Sequence, residues 1–321
     1  MVNKICFFGL LHIKKNENAL LNFRSTSDND KILVYLKNAI LLDQQLKHYG
    51  YSLTLITNKR QFLRKLLKKL NYDISLKSIK FHTFVPKNTH FYSCHFRVDI
   101  FKYFASLRNV YSILLDLDIL VLNNLNKISY FQKKNIALVN EISQNVIPAY
   151  GKYQILKKLK ILNPKINKVF WFGGDFFAGD NIFYKNLHKK TKFYQKLFVK
   201  NIKALSFQTD ELFISASLYD LKRDYHKKIK LCNKYNIFTR YWNTNVLHKQ
   251  NKISYYKKFV FLHTPADKIF LSKCFKSLDN TQNFQKEYFD HVSSMKNILK
   301  IKIANVLPNV VKEKIKVFFY K

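Results

Sequence analysis

The first 120 residues switch repeatedly between short apolar runs and stretches of helical periodicity. Residues 4–11 are an apolar run of strand length. A polar loop at 25–30 follows and offers Ser and Asp side chains as helix caps. Ile32, Leu33, Leu36, Ala39, Ile40 and Leu46 recur at helical spacing, which predicts a helix over 31–49 closed by Gly50. Further along, 51–57 reads as a second strand and 61–70 as a helix with a strongly basic face. A third strand is expected at 76–84, a helix at 92–107 and an apolar strand at 111–115. Strands and helices in alternation argue for an α/β layer with a largely parallel sheet. On such sheets ligands bind beyond the carboxyl ends of the strands, here after Phe8, Thr57 and Leu115.

The second half is less regular. Residues 136–140 form a strand candidate, and 182–200 and 209–219 read as helices. The 255–263 segment ends in an apolar strand, Phe259-Val260-Phe261-Leu262. The last stretch, 295–321, interleaves Lys with apolar residues and reads as a basic amphipathic tail. With no internal repeat and no long linker, we expect one domain over 1–294.

Charge changes the picture. The chain carries 57 Lys and Arg against 20 Asp and Glu, a net charge of +37. Only seven of the basic residues are Arg, which disfavours a sequence-reading nucleic-acid protein, since Arg makes the bidentate base and phosphate contacts. A Lys-rich surface fits an anionic membrane face better. Apolar residues at 47% exclude wholesale disorder. No apolar run reaches the length of about 18 residues needed to span a bilayer. Cys6, Cys94, Cys232 and Cys274 are far apart, and the opening residues are too short an apolar run for a signal peptide. Together these features predict a cytoplasmic protein that is either soluble or lies on a membrane surface.

Four constellations carry candidate chemistry. In Leu114-Leu115-Asp116-Leu117-Asp118 an apolar strand runs into two carboxylates at i and i+2. Residues two apart in an extended chain point to one side, so Asp116 and Asp118 can converge on a hard cation such as Mn²⁺ or Mg²⁺ while Leu117 faces the core. A solvated or Lys-paired turn is the alternative. Phe172-Gly173-Gly174-Asp175-Phe176-Phe177-Ala178-Gly179 holds three of the chain's six glycines, where close backbone approach or positive φ is expected. In Gln208-Thr209-Asp210-Glu211, Thr209 is placed to cap a helix with both acids in its first turn. His263-Thr264-Pro265-Ala266-Asp267-Lys268 offers a third metal ligand and a cation for a phosphate.

In this order, these motifs resemble the GT-A glycosyltransferases that use nucleotide-sugar donors. The likeness is to the retaining groups that include glycogenin, bacterial lipooligosaccharide galactosyltransferases and blood-group-type transferases. It spans roughly residues 4–269. The resemblance implies a Rossmann-like, mixed, mostly parallel sheet flanked by helices. It implies that Asp116, Asp118 and His263 hold the metal, and that Arg97 and Lys268 add charge beside the diphosphate. The nucleoside would lie over Phe8, Gly9, Thr57 and Asn58. Asp175, Glu211 and Asp210 are the implied catalytic carboxylates. The late element departs from the family in having Pro265 and Ala266 where a Gly is common, and Ile269 where Pro is common. The implied partners are a nucleotide-sugar donor, UDP-sugar favoured, and a glycan or glycolipid acceptor, with no nucleic acid. Alanine at Asp116 or Asp118 is then expected to abolish transfer without unfolding the protein. The rival readings are a basic nucleic-acid-binding protein and a catalytically inactive transferase-like scaffold.

Overall fold

A computed structural model describes residues 3–14, 28–87, 89, 91–205, 209–225, 228–243, 248, 250–276 and 281–294. The first half runs β1 (Lys4–Leu10), α1 (Asp28–His48), β2 (Leu53–Thr57), α2 (Arg60–Lys69), β3 (Ser75–Ser78), α3 (Arg97–Ala105) and β4 (Val110–Leu115). Then follow β5 (Ile119–Val121), α4 (Asn126–Lys133), β6 (Ala137–Glu141), α5 (Ser143–Tyr150), α6 (Lys152–Leu162), β7 (Phe172–Gly179) and α7 (Asn181–Lys200). The chain continues through α8 (Asp210–Asp224), β8 (Ile229–Leu231), β9 (Phe238–Arg240), β10 (Phe261–His263), α9 (Lys268–Cys274) and α10 (Thr281–Val292). The predicted caps at 25–27, the motif residue Gln208 and the basic tail at 295–321 lie outside the described residues.

The main sheet has the order β3-β2-β1-β4-β7-β6-β8. β3, β2, β1 and β4 are parallel, β7 runs antiparallel to both β4 and β6, and β6 is parallel to β8. This is the mixed, mostly parallel α/β sheet expected from the alternating pattern. The buried side chains form two clusters. One holds Phe7, Leu36, Leu55 and Ile113; the other holds Phe8, Ile56, Phe101 and Leu114. Successive residues of β1, β2 and β4 thus enter opposite clusters, as strands covered on both faces require. Gly50 closes α1 at φ +77°, in the left-handed region that Gly tolerates.

Two elements differ from their sequence-based bounds. The third strand stops at Ser78, because its Lys and Ser positions are largely exposed and carry no buried face onward. The helix expected at 92–107 begins as a 3-10 turn over Tyr92–Phe96 and becomes α-helical only at Arg97. Phe91, just before it, is left-handed at φ 53°.

A second sheet, β5-β10-β9, positions the site. Its register sets His263 opposite both Ile119 and Arg240. The Thr264 amide donates to the Asp118 carbonyl at 2.9 Å, which extends that pairing by one step. On the other side, the Asp116 amide donates to the Asp175 carbonyl at 3.1 Å, continuing the β4–β7 ladder past Leu115. Backbone pairing alone therefore brings Asp116, Asp118, Asp175, Arg240 and His263 to one end of the two sheets.

Candidate metal centre and its charged surround

Asp116, Asp118 and His263 each offer a ligand atom, and those atoms lie within 4.8 Å of one another. Leu117, between the two aspartates, is buried and reaches the space beside Gly9. The alternation expected of an extended segment is realised. The two carboxylates are not equivalent. The Asp116 side chain is 31% exposed, whereas that of Asp118 is 3% exposed. Asp118 accepts from His263 Nε2 at 3.1 Å and from Lys268 Nζ. Burial pushes Asp118 up, but Lys268 and His263 hold it well below the usual carboxylate range. Lys268 Nζ also donates to the Pro265 carbonyl at 2.9 Å.

His263 is held at both ring nitrogens. Nδ1 lies 2.7 Å from Asp175 Oδ2. Asp175 also accepts from Arg240 Nε at 2.6 Å and from Asn140 Nδ2 at 3.2 Å. Burial raises Asp175, but Arg240 and His263 keep it well below the ordinary range. Asp175 is therefore an ionised acceptor, and the proton between it and His263 sits on Nδ1. Its side chain is wholly buried, so it acts on His263 and Arg240 rather than on anything in solvent. Burial lowers His263, yet the two flanking aspartates bring its pKa up to about 9.

A second relay joins the same corner. Arg97, at the first turn of α3, donates to Asp210 Oδ2 at 2.6 Å and to Asp116. Burial raises Asp210 to about 6, since Arg97 is shared with Asp116 and Glu211 adds like charge. Glu211 accepts from Trp171 Nε1 at 2.7 Å, Arg240 Nη2 at 2.8 Å and the Gly174 amide at 3.3 Å. Its side chain keeps 16% exposure, the most open of the five clustered carboxylates after Asp116. Thr209 occupies the N-cap position of α8, but its side chain makes no capping bond among the described residues. The expected Thr cap is thus corrected to a backbone cap only.

The glycine window works through space, not through φ. Gly173, Gly174 and Gly179 are extended residues of β7, and positive φ among the glycines is confined to Gly50 and Gly151. A Cβ on Gly174 would lie 2.7 Å from Arg97 Nη1 and 2.9 Å from Asp210 Oδ2. One on Gly173 would meet Asp175 and, at 2.8 Å, Arg240. Missing side chains make room for the two arginines.

The strand-end residues assigned to the nucleoside are already engaged. Phe8 is buried against Phe104, with ring centroids 4.6 Å apart. Thr57 is buried and accepts from the Lys59 amide at 3.1 Å. Asn58 exchanges two hydrogen bonds with the Ile13 backbone, at 2.9 and 2.8 Å. The Asn58 side chain thus staples the loop after β1 to the loop after β2.

Arg240 was missed in the sequence. It sits at the end of a three-residue strand too short to show a pattern. Its signal was scarcity, since Arg240 and Arg97 are two of only seven arginines and both are buried in this network.

The donor set fits a divalent cation. Five carboxylates (Asp116, Asp118, Asp175, Asp210 and Glu211) face Arg97, Arg240, Lys268 and the protonated His263 ring, an excess of one negative charge. Two carboxylates and one imidazole within reach of one another could hold a divalent metal ion. The carboxylate behind His263 supplies the outer support typical of metal-bound imidazole.

No protein-family model matches the chain, and no curated protein matches it. Among solved structures, it is similar to the apo form of mouse xyloside xylosyltransferase 1 at 9% identity and a TM-score of 0.44, over 81% of this chain and 97% of that one. It is also similar to an active-site mutant of LgtC at 10% identity and a TM-score of 0.47, over 80% of this chain and 86% of that one.

Proposed function

We propose that this chain is a metal-dependent glycosyltransferase that moves a hexose from a nucleoside-diphosphate sugar, UDP-sugar favoured, to a glycan acceptor. The observation that carries the reading is the convergence of Asp116, Asp118 and His263 at the carboxyl end of β4, with Asp175 fixing the imidazole. Open α/β sheets bind ligands at that end. Phosphoryl oxygens and a divalent cation together suit a cluster of hard ligands ringed by Arg and Lys.

When bound, the cation supplies positive charge to the departing diphosphate. Asp116, Asp118 and His263 would hold it, the aspartates through carboxylate oxygens and the histidine through Nε2. Asp175 keeps the other ring proton on Nδ1, so that Nε2 presents its lone pair. Lys268 and Arg97 hold fixed positive charge beside the leaving group, where preorganised charge costs no rearrangement during reaction. Asp210 pins Arg97. Glu211, the more open acid of the second relay, stabilises the developing positive charge at the anomeric carbon or orients the acceptor hydroxyl. Asp175 is a positioning residue in this scheme. The nucleoside lies over the Phe8–Gly9 and Thr57–Asn58 strand ends, and we favour retention of anomeric configuration.

The cellular reading follows from charge. A net charge of +37, mostly Lys, suits assembly of bacterial surface polysaccharide, lipooligosaccharide or capsule on lipid carriers at the cytoplasmic face of the inner membrane. No helix among the described residues is long and apolar enough to cross a membrane. Calorimetric titration of UDP-sugars and GDP-sugars into the full chain, with Mn²⁺ or with EDTA, tests the reading. Donor binding that requires the metal supports it, and no binding to any donor would refute it.

A further inference from the structure

One face of α8 links the carboxylate cluster to a separate groove. Glu211, Ser215, Tyr219 and Lys222 follow at spacings of four, four and three residues, so they share a face. The 170–172 segment runs beside that face in the opposite direction. Trp171 Nε1 donates to Glu211 at 2.7 Å, the Phe172 amide donates to Ser215 Oγ at 2.9 Å, and Phe170 stacks on Tyr219 at 5.1 Å and 8°. At about 1.5 Å per residue, Lys222 lies roughly 16 Å from Glu211 along the helix. That span exceeds one sugar ring.

The far part of this face opens into a groove of about 700 Å³. Tyr219, half-buried over the buried Phe170 and Phe172, supplies its aromatic surface, and Lys168, Lys222 and Arg223 its charge. Arg223 is paired on the surface with Asp224 at 3.2 Å and Asp220 at 3.9 Å. The Lys222 ammonium stands 5.7 Å above the Phe172 ring. Glu141 is the groove's one acid, and it accepts from Ser143 at 2.7 Å. Burial lowers Lys222, and neighbouring Lys234, Lys168 and Lys230 lower it further against Glu141 alone. Crowded lysines with a single counter-charge favour an anion. A tyrosine ring with its polar tip favours a flat, partly apolar ligand with hydroxyls at its edge.

We infer that this groove holds the distal part of the acceptor, and that the acceptor is an anionic saccharide bearing a carboxylate, phosphate or sulfate group. The inference rests on the transferase reading above. The reacting hydroxyl lies at the Glu211 end, a sugar ring packs on Tyr219, and the anion meets Lys168 and Lys222.

The test compares binding of sialyllactose with lactose, and of a phosphorylated mannose disaccharide with its neutral form, to the full chain by ligand-observed NMR. The expected result is at least tenfold tighter binding of an anionic sugar than of its neutral partner. Lys168→Gln with Lys222→Gln removes that preference. Lys65→Gln with Lys69→Gln removes the same charge from α2 and leaves it intact. Tyr219→Ala weakens the anionic sugar at least tenfold, with thermal melts of every variant checking the fold. Equal binding of charged and neutral sugars, binding of neither, or a preference that survives the groove substitutions would overturn the inference. Nucleoside diphosphate release by the unmodified chain separates the two ideas. Release without an anion preference removes the groove alone. Preference without release leaves a saccharide site and removes its role as acceptor subsite.

Discussion

Asp175 Oδ2 stands 2.7 Å from Nδ1 of His263. The aspartate is held ionised, so it accepts, and the imidazole must carry its proton on that nitrogen. With the His263 pKa raised to about 9 both ring nitrogens carry a proton, and loss of the Nε2 proton leaves the tautomer whose Nε2 lone pair faces Asp118 and Asp116. Asp175→Asn keeps the shape but removes the charge that orients the ring. We expect Mn²⁺ affinity to fall by about 10–100-fold. Titration followed by electron paramagnetic resonance reads this directly, and an unchanged affinity would show that Asp175 serves only the fold.

Asp116 and Asp118 differ in what their removal leaves behind. Asp118→Ala strands Lys268 and His263 in the interior, so it should cost about 3–5 kcal/mol of stability. Asp116→Ala leaves Arg97 still paired with Asp210 and opens only a partly exposed position, for about 1 kcal/mol or less. Urea denaturation of both variants gives the comparison. Equal losses would contradict the asymmetry of burial. The expectation that either alanine spares the fold is thereby narrowed to Asp116.

Gly174→Ala should be costly without any strain in φ. The added methyl would land on the Arg97–Asp210 pair, whose tips must shift while remaining buried. Overpacking of this kind costs about 1–3 kcal/mol. Displacing Arg97 should also slow turnover. A melting temperature and a rate both equal to wild type would mean that the pair accommodates a methyl freely.

His12 supplies a pH-dependent test away from the metal site. Its ring lies 4.3 Å from Phe96 and 5.2 Å from Phe81, centroid to centroid. Burial lowers its pKa to about 4, with Lys14 and Lys59 adding to the effect. The unfolded chain takes up this proton near pH 6.5 and the folded chain only near 4. Stability therefore falls through this group as pH drops across that window, by up to about 3 kcal/mol before screening at its exposed edge. Asp210 and Asp267, raised by burial, act in the opposite sense over overlapping pH values. The clean readout is the difference between His12→Phe and wild type. It should move in favour of the variant as pH falls from 6.5 to 4, and a constant difference would refute the assignment.

β1, β2 and β4 were legible because each is a short apolar run set off by helix-period stretches, whereas β3, Ser-Leu-Lys-Ser, is mostly exposed and its bounds were not. β7 was legible only as a glycine and aromatic anomaly. Buried on both faces, Phe172 to Gly179 shows no alternation. Asp116, Asp118 and His263 could be named from their strand-end positions, but their union depends on β10 pairing with β5, a contact between residues some 140 positions apart. The functions of Asp175 and Arg240 were not legible, because they act through His263 and Glu211. In α6, Ile155, Leu159 and Leu162 form the buried stripe, thinned by four lysines in an eleven-residue helix.

The central claim is metal-assisted departure of a nucleoside diphosphate from a sugar donor. The most direct measurement is nucleoside diphosphate release from a panel of UDP-sugars and GDP-sugars, with Mn²⁺ or EDTA, comparing wild type with Asp116→Ala. The account predicts release from at least one donor, abolished by EDTA and reduced at least about a hundredfold by Asp116→Ala. Release that persists in EDTA, or a near-normal rate in the variant, would contradict it.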